Sequence, residues 1–174
     1  MAVRKLLVPD AVVGHVTGIR PAMLHARGVR GLIVDLDNTL THWNAPGCAP
    51  EVAAWLDDLR QSGIAVCIVS NNGAERVRAF CASLSEPVPW IAQARKPRRS
   101  AYRRAMALLG LSYPAVAVVG DQVFTDVFGG NRAGLLTILV SPLGRREFAA
   151  TRLVRIVEGL WLRRLRAGGA VRSL

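Results

Sequence analysis

The chain is short of cysteine, of acids and of long apolar runs, and each shortage closes off a class of protein. Cys48, Cys67 and Cys81 are odd in number and lack any C-x-x-C spacing, so no disulfide framework is suggested and a reducing, cytoplasmic setting is expected. Neither a cysteine pair nor a histidine cluster argues for zinc, because His15, His25 and His42 share no useful spacing. No apolar run reaches the roughly 18 residues a bilayer span needs. The stretch before Pro9 is too brief for a signal peptide, so any membrane contact is expected to be peripheral. A G-x-x-x-x-G-K-[ST] string is missing, which leaves a P-loop enzyme unsupported. Acids number only 12 against 23 lysines and arginines, for a formal charge of +11.

That charge is unevenly spread. From Phe128 to Leu174 nine arginines face two acids, and Arg95, Lys96, Arg98, Arg99, Arg103 and Arg104 form a second run free of acids. Such fields attract phosphorylated substrates, anionic headgroups or nucleic acid; a basic proteome using Arg for Lys is the plainer alternative. A length of 174 residues, half of them apolar, suits one domain with a substantial core. We expect a core over about 28–142, a lead-in over 1–27 and a helix over about 145–167.

Short apolar runs alternate with helical stretches. Strands are expected at 31–35, 64–70, 115–119 and 135–140, with a short one at Trp90 and Ile91. Their continuous apolar character suits strands covered on both faces, as in a parallel sheet. Helices are expected over 51–61, 74–84, 97–109 and 122–132, and a short one over 21–27. The alternation predicts an α/β, doubly wound, Rossmann-like three-layer sandwich with a mainly parallel sheet.

Ligands of such sheets bind beyond the carboxyl ends of the strands. Three segments bring polar groups there: Asp35, Asp37, Asn38 and Thr39; Ser70, Asn71 and Asn72; and Gly120, Asp121 and Gln122 with Thr125 and Asp126. Two carboxylates two residues apart repel unless a cation lies between them, and Mg²⁺ takes a few carboxylates with waters and substrate phosphate. An EF-hand is excluded, since it would need Gly at Leu40 and Glu at Pro46. Lys96 adds a positive charge and Ser70 a hydroxyl donor. The set matches phosphoryl transfer, where positioning and charge neutralisation dominate.

Asp35-Leu36-Asp37-Asn38-Thr39 resembles the first motif, D-x-D-x-T, of the haloacid dehalogenase-like phosphatases. Ser70, Lys96 and Gly120-Asp121-Gln122-Val123-Phe124-Thr125-Asp126 resemble the second, third and fourth. Leu7-Val8-Pro9-Asp10, Ser70-Asn71-Asn72 and Lys96-Pro97 are similar to the YqeG-like IIIA subfamily, related to phosphatidylglycerophosphate phosphatases. The resemblance covers about Gly31 to Val140. It implies that Asp35 attacks phosphorus and carries an aspartyl-phosphate, while Asp37 protonates the leaving oxygen and then activates water. It implies Mg²⁺ held by Asp35, the Asp37 backbone carbonyl and Asp121. Thr39, Ser70, Asn71 and Lys96 fall on the substrate-binding side, and Asp126 would orient Lys96 or a metal-bound water. Thr39 is in keeping with phosphatase members.

Neither the gap over 41–50 nor that over 72–95 has room for a cap domain. An open site suits a bulky substrate, one held at a surface, or a lid from a neighbouring subunit in an oligomer. Over 145–165, Leu153, Ile156, Leu160 and Trp161 share an arc opposite Arg152, Arg155 and Arg163. Such a helix packs on the sheet or lies on an anionic membrane. Phosphatidylglycerophosphate is the substrate these features favour. A soluble phosphomonoester is one alternative; an RNA- or ribosome-binding protein with a vestigial site is another, though no aromatic-rich RNA motif is visible.

Overall fold

A computed structural model describes residues 6–43, 45–143 and the backbone of 172–173. Along the chain run β1 (Ala11–Val13), α1 (Pro21–His25), β2 (Gly31–Val34), α2 (Pro50–Gln61), β3 (Ala65–Val69), α3 (Ala74–Cys81), β4 (Trp90–Ile91), α4 (Arg99–Leu109), β5 (Val116–Gly120), α5 (Phe128–Ala133), β6 (Leu136–Val140) and β7 (Arg172–Ser173). The strands form one sheet in the order β4-β3-β2-β5-β6-β1-β7, and every pairing is parallel. From β2 the chain winds outward through β3 to β4, then returns to β5 on the other side. The order therefore reverses between β2 and β5, where a doubly wound sheet opens its ligand crevice.

Alternation along each strand decides which face a side chain serves. Leu32 and Val34 of β2, Val66 and Ile68 of β3, and Ala117 and Val119 of β5 join one core with Trp55, Leu59, Val77 and Phe80. Ile33, Cys67, Val69, Val116 and Val118 point the other way, onto Ala101, Tyr102 and Ala105 of α4. Two cores on opposite faces make the expected three-layer sandwich.

Helix α2 shows how local sequence builds a layer. Pro50 opens it, Val52, Trp55, Leu56 and Leu59 form its buried stripe, and Gly63 (φ 74°) turns the chain just past its end. Each fully buried side chain of that size contributes about 1.5–3 kcal/mol. Helix α4 begins at Arg99 rather than at Pro97, and Lys96 and Pro97 occupy a turn before it. A residue preceding proline is disfavoured in helical geometry, which leaves Lys96 in a loop at the rim. Helix α3 stops at Cys81, three residues short of the expected end.

The stretch expected as one helix over 122–132 has two parts. Gln122 is extended, Val123–Val127 makes a wide π turn, and α5 follows. The expected lead-in contributes β1, pinned by Asp10, whose Oδ2 accepts from the backbone N–H of Thr137 at 2.8 Å and its hydroxyl at 3.2 Å. Asn131 Nδ2 donates to the carbonyls of Leu6 and Val8, both at 2.9 Å. The basic helix expected over about 145–167 lies outside the described residues. Among the described residues no helix is long and apolar enough to cross a membrane, and Cys48, Cys67 and Cys81 are free.

Candidate active site

Asp35 follows the last residue of β2 and Asp121 the last of β5, so strand pairing alone sets them side by side at the switch point. Between them sits Thr39, whose hydroxyl is 3.3 Å from Asp35 Oδ2 and 3.4 Å from Asp121 Oδ1. Thr39 reaches this place because the chain turns back after Asp37, with Asn38 in the left-handed region (φ 62°) that asparagine tolerates. Asn38 N–H donates to the Thr41 carbonyl at 2.7 Å, closing the loop.

Lys96 enters from the β4–α4 loop. Its Nζ donates to Asp35 Oδ1 at 2.6 Å and to Asp126 Oδ1 at 2.7 Å, and all three side chains are nearly excluded from water. Burial pushes the Asp35 carboxyl up to about 6 against the pull of the Lys96 ammonium, and Asp126 and Asp37 add to the rise. For Lys96, burial alone would lower the ammonium, but the carboxylates of Asp126 and Asp35 outweigh it and hold the lysine above its ordinary range. Asp126 arrives through the π turn, where its second oxygen accepts from Thr125 Oγ1 at 3.2 Å and Gln122 N–H at 3.3 Å. A Cβ at Gly120 would fall on the Asp126 carboxyl group, so only glycine leaves this space.

Ser70, directly after β3, is buried and its hydroxyl reaches Asp37 Oδ2 at 3.4 Å. Asn71, expected beside the substrate, turns its amide to the Lys96 backbone: Oδ1 accepts from the N–H at 2.7 Å and Nδ2 donates to the carbonyl at 3.2 Å. That bracket fixes the loop carrying the lysine.

Asp35, Asp37, Thr39, Ser70, Lys96, Asp121 and Asp126 thus converge on one rim from four loops. Among the described residues, the carboxylates that approach one another to within 4.8 Å are Asp35, Asp121 and Asp126, all buried. The Asp37 side chain stands apart, facing Ser70, Asn72 Nδ2 (3.4 Å) and Arg76 Nε (3.2 Å). Arg76 is absent from the sequence expectations. Nothing in its surroundings marks it among so many arginines, and only folding sets α3 against the loop after β2. Lys96 did carry an overlooked signal, being one of two lysines in a chain otherwise committed to arginine.

The donor set fits a divalent cation. Asp35, Asp121 and Asp126 each bring a carboxylate oxygen within 4.8 Å of the others, and Lys96 reaches two of the three. Hard carboxylate oxygens in that arrangement favour a hard cation.

A parallel sheet bearing buried acids and a lysine at its switch point is the frame of a haloacid dehalogenase-like hydrolase, and residues 93–146 match a family described as HAD-hydrolase-like. Over 170 residues the chain is 41% identical to a probable phosphatase, YqeG, of Bacillus subtilis (strain 168), covering 97% of this chain and 96% of that protein. The chain therefore belongs to the YqeG-like branch of the haloacid dehalogenase-like phosphatases. It is also 28% identical over 171 residues to the chloroplastic phosphatidylglycerophosphate phosphatase 1 of Chlamydomonas reinhardtii, covering 92% of this chain and 63% of that protein. An uncharacterized protein from Listeria monocytogenes serotype 4b shares the fold, at TM-score 0.50 and 17% identity over 77% of this chain and 98% of that one.

Proposed function

We propose that this phosphatase uses Asp35 as its nucleophile, Asp37 as its proton carrier and Mg²⁺ as its cation, and that its substrate is a phosphomonoester presented at a lipid surface, phosphatidylglycerophosphate first among them. The observation that carries the reading is the buried Lys96 ammonium bound to Asp35 at the switch point. A lysine so placed holds the carboxylate in one orientation and offers positive charge to the phosphoryl oxygens that approach it.

In the first step an oxygen of Asp35 bonds to phosphorus as the bond to the leaving oxygen breaks. The Asp37 proton passes to that oxygen, releasing an alcohol and leaving an aspartyl-phosphate. In the second step water attacks phosphorus, Asp37 takes back a proton, and inorganic phosphate leaves with Asp35 restored. Ser70 donates to a phosphoryl oxygen, Thr39 steadies Asp35 against Asp121, and Asn71 acts through its hold on the Lys96 loop. Bound Mg²⁺, held by Asp35, Asp121 and the Asp37 carbonyl, supplies charge neutralisation for the transferring group. Asp126 orients Lys96.

Three features favour a lipid substrate. No inserted domain covers the rim among the described residues. Trp43 and Phe124, roughly half exposed, extend from the loops that follow β2 and β5. The chloroplastic relative is named for phosphatidylglycerophosphate. We further infer one domain, a cytoplasmic setting and peripheral membrane contact. The decisive assay is phosphate release from phosphatidylglycerophosphate vesicles and from soluble phosphomonoesters, with and without Mg²⁺, for wild type and Asp35→Asn. Equal release by both proteins overturns the nucleophile. Turnover of soluble esters alone overturns the lipid substrate.

A further inference from the structure

We propose that Arg76 is a positioning residue that aims the Asp37 carboxyl for proton transfer; the inference rests on the phosphatase reading above. Arg76 lies in the first turns of α3, outside the motif positions. Its guanidinium joins three groups: Nε meets Asp37 Oδ1 at 3.2 Å, one terminal nitrogen donates to the Ala45 carbonyl at 2.7 Å, and the other to the His42 carbonyl at 2.9 Å. Both partners of the ion pair are largely buried, with 17% of the Arg76 and 19% of the Asp37 side chain exposed. Asn72 Nδ2 reaches the other Asp37 oxygen at 3.4 Å, as does Ser70 Oγ until its hydroxyl donates to a phosphoryl oxygen instead. The carboxyl group is therefore gripped at both oxygens, while the residues on either side of it are tied to Thr41, Asn38 N–H donating to the Thr41 carbonyl at 2.7 Å and Thr41 N–H to the Leu36 carbonyl at 3.2 Å.

The grip has chemical consequences because Asp37 must serve two geometries. It gives a proton to the leaving oxygen and later takes one from water, so it must stay on the leaving-group side of phosphorus through both steps. Asp37 follows Asp35 by two residues on a loop, and a loop alone positions a side chain loosely. Arg76 adds a fixed reference from another element. A planar guanidinium can hold a carboxylate and two carbonyls in one plane, whereas a lysine ammonium is a point charge on a flexible stem. His42 and Ala45 belong to the same loop, so Arg76 sets the loop and the acid by one contact surface.

A purely architectural Arg76 would hold the loop to α3 and slow every substrate alike. A positioning Arg76 acts through the proton, so its loss depends on how much the leaving group needs one. The test compares kcat/KM, which reports the first bond-breaking step, for 4-nitrophenyl phosphate and for an alkyl phosphomonoester. Arg76→Met should lose about 100-fold or more on the alkyl ester and under about tenfold on the aryl ester, the span expected for general acid catalysis. Arg76→Lys should recover part of the alkyl loss. In an Asp37→Asn background the same Arg76→Met change should add little further loss on the alkyl ester, because the two residues act as one unit. Equal losses on both esters, or full additivity with Asp37→Asn, overturn the inference. If Arg76→Met does not fold, Arg76→Lys is judged by the same ratio. Wild type that releases phosphate from neither ester nor from phosphatidylglycerophosphate vesicles sinks the phosphatase reading and this inference with it. Where only the vesicles are hydrolysed, the comparison of Arg76→Met in the wild-type and Asp37→Asn backgrounds is made on them, and full additivity there sinks the inference alone, as do equal losses on the two esters.

Discussion

Lys96 Nζ stands 2.6 Å from Asp35 and 2.7 Å from Asp126, with almost no water around the three. Burying such charges is costly, and the cost is met only while the trio is whole. Lys96→Met leaves two carboxylates facing each other out of water, so it should destabilise the fold by about 3–5 kcal/mol and abolish turnover. Denaturant titration beside the phosphate assay checks both. Asp35 behaves differently. Its carboxyl sits near 6 in the folded chain against an ordinary 3.8, mainly through burial, so between those pH values the folded protein binds more protons than the unfolded one. Stability contributed by this group is therefore gained as pH falls through about 6 and lost as it rises. Without divalent cations, Asp35→Asn should flatten that part of the stability–pH curve; with Mg²⁺ present it should cut turnover by more than about 10⁴-fold. A bound cation reverses the burial cost: at 100 times its dissociation constant it should add about 2.7 kcal/mol to wild type. Asp121→Asn should lose most of that gain, as thermal melts with and without Mg²⁺ would show.

At the scale of elements, two segments show what periodicity misses. Apolar spacing over 122–132 suggests one helix, and the chain does coil there. Asp126, however, is turned inward by a wide π turn at Val123–Val127, an irregularity frequent at functional sites. Its placement depends on Gly120, which supplies the space that the carboxyl group fills. Gly120→Ala should cost about 1–3 kcal/mol by overpacking and should weaken the Lys96 contact with it. Urea midpoints and kcat measured on the same preparation check the pair. Strand β1 is only three residues long, too short for a pattern to register, and it exists through pairing with β6. Asp10 belongs to the motif resemblance, and its physical role is to tie the start of β1 to Thr137 of β6. The apolar stripe and the closing glycine of helix α2 are legible in the sequence, and the helix opens at Pro50, one residue before the expected start.

For the whole molecule the +11 charge is the dominant feature. Between Glu86 and Asp121 no acid interrupts the basic run, and the exposed Arg95, Arg98, Arg99, Arg103 and Arg104 follow from the site's rim along α4. Each basic side chain near an anionic bilayer contributes about 1 kcal/mol at modest ionic strength. Binding to phosphatidylglycerol vesicles should therefore weaken as salt is raised, and Arg98→Glu/Arg99→Glu should reduce it by at least about tenfold. Vesicle cosedimentation against neutral phosphatidylcholine is the measurement.

The sequence by itself determined the α/β alternation, the parallel sheet buried on both faces, and the polar residues at the strand ends. All of these follow from local periodicity and from the rule that such residues sit at a sheet's carboxyl edge. Only the tertiary structure decided which carboxylate Lys96 would hold, that Asp37 would face Arg76 and that Asn71 would grip a backbone. Those partners lie 25 to 61 positions apart. Contacts of that range depend on how helices settle against the sheet, and no spacing along the chain encodes it.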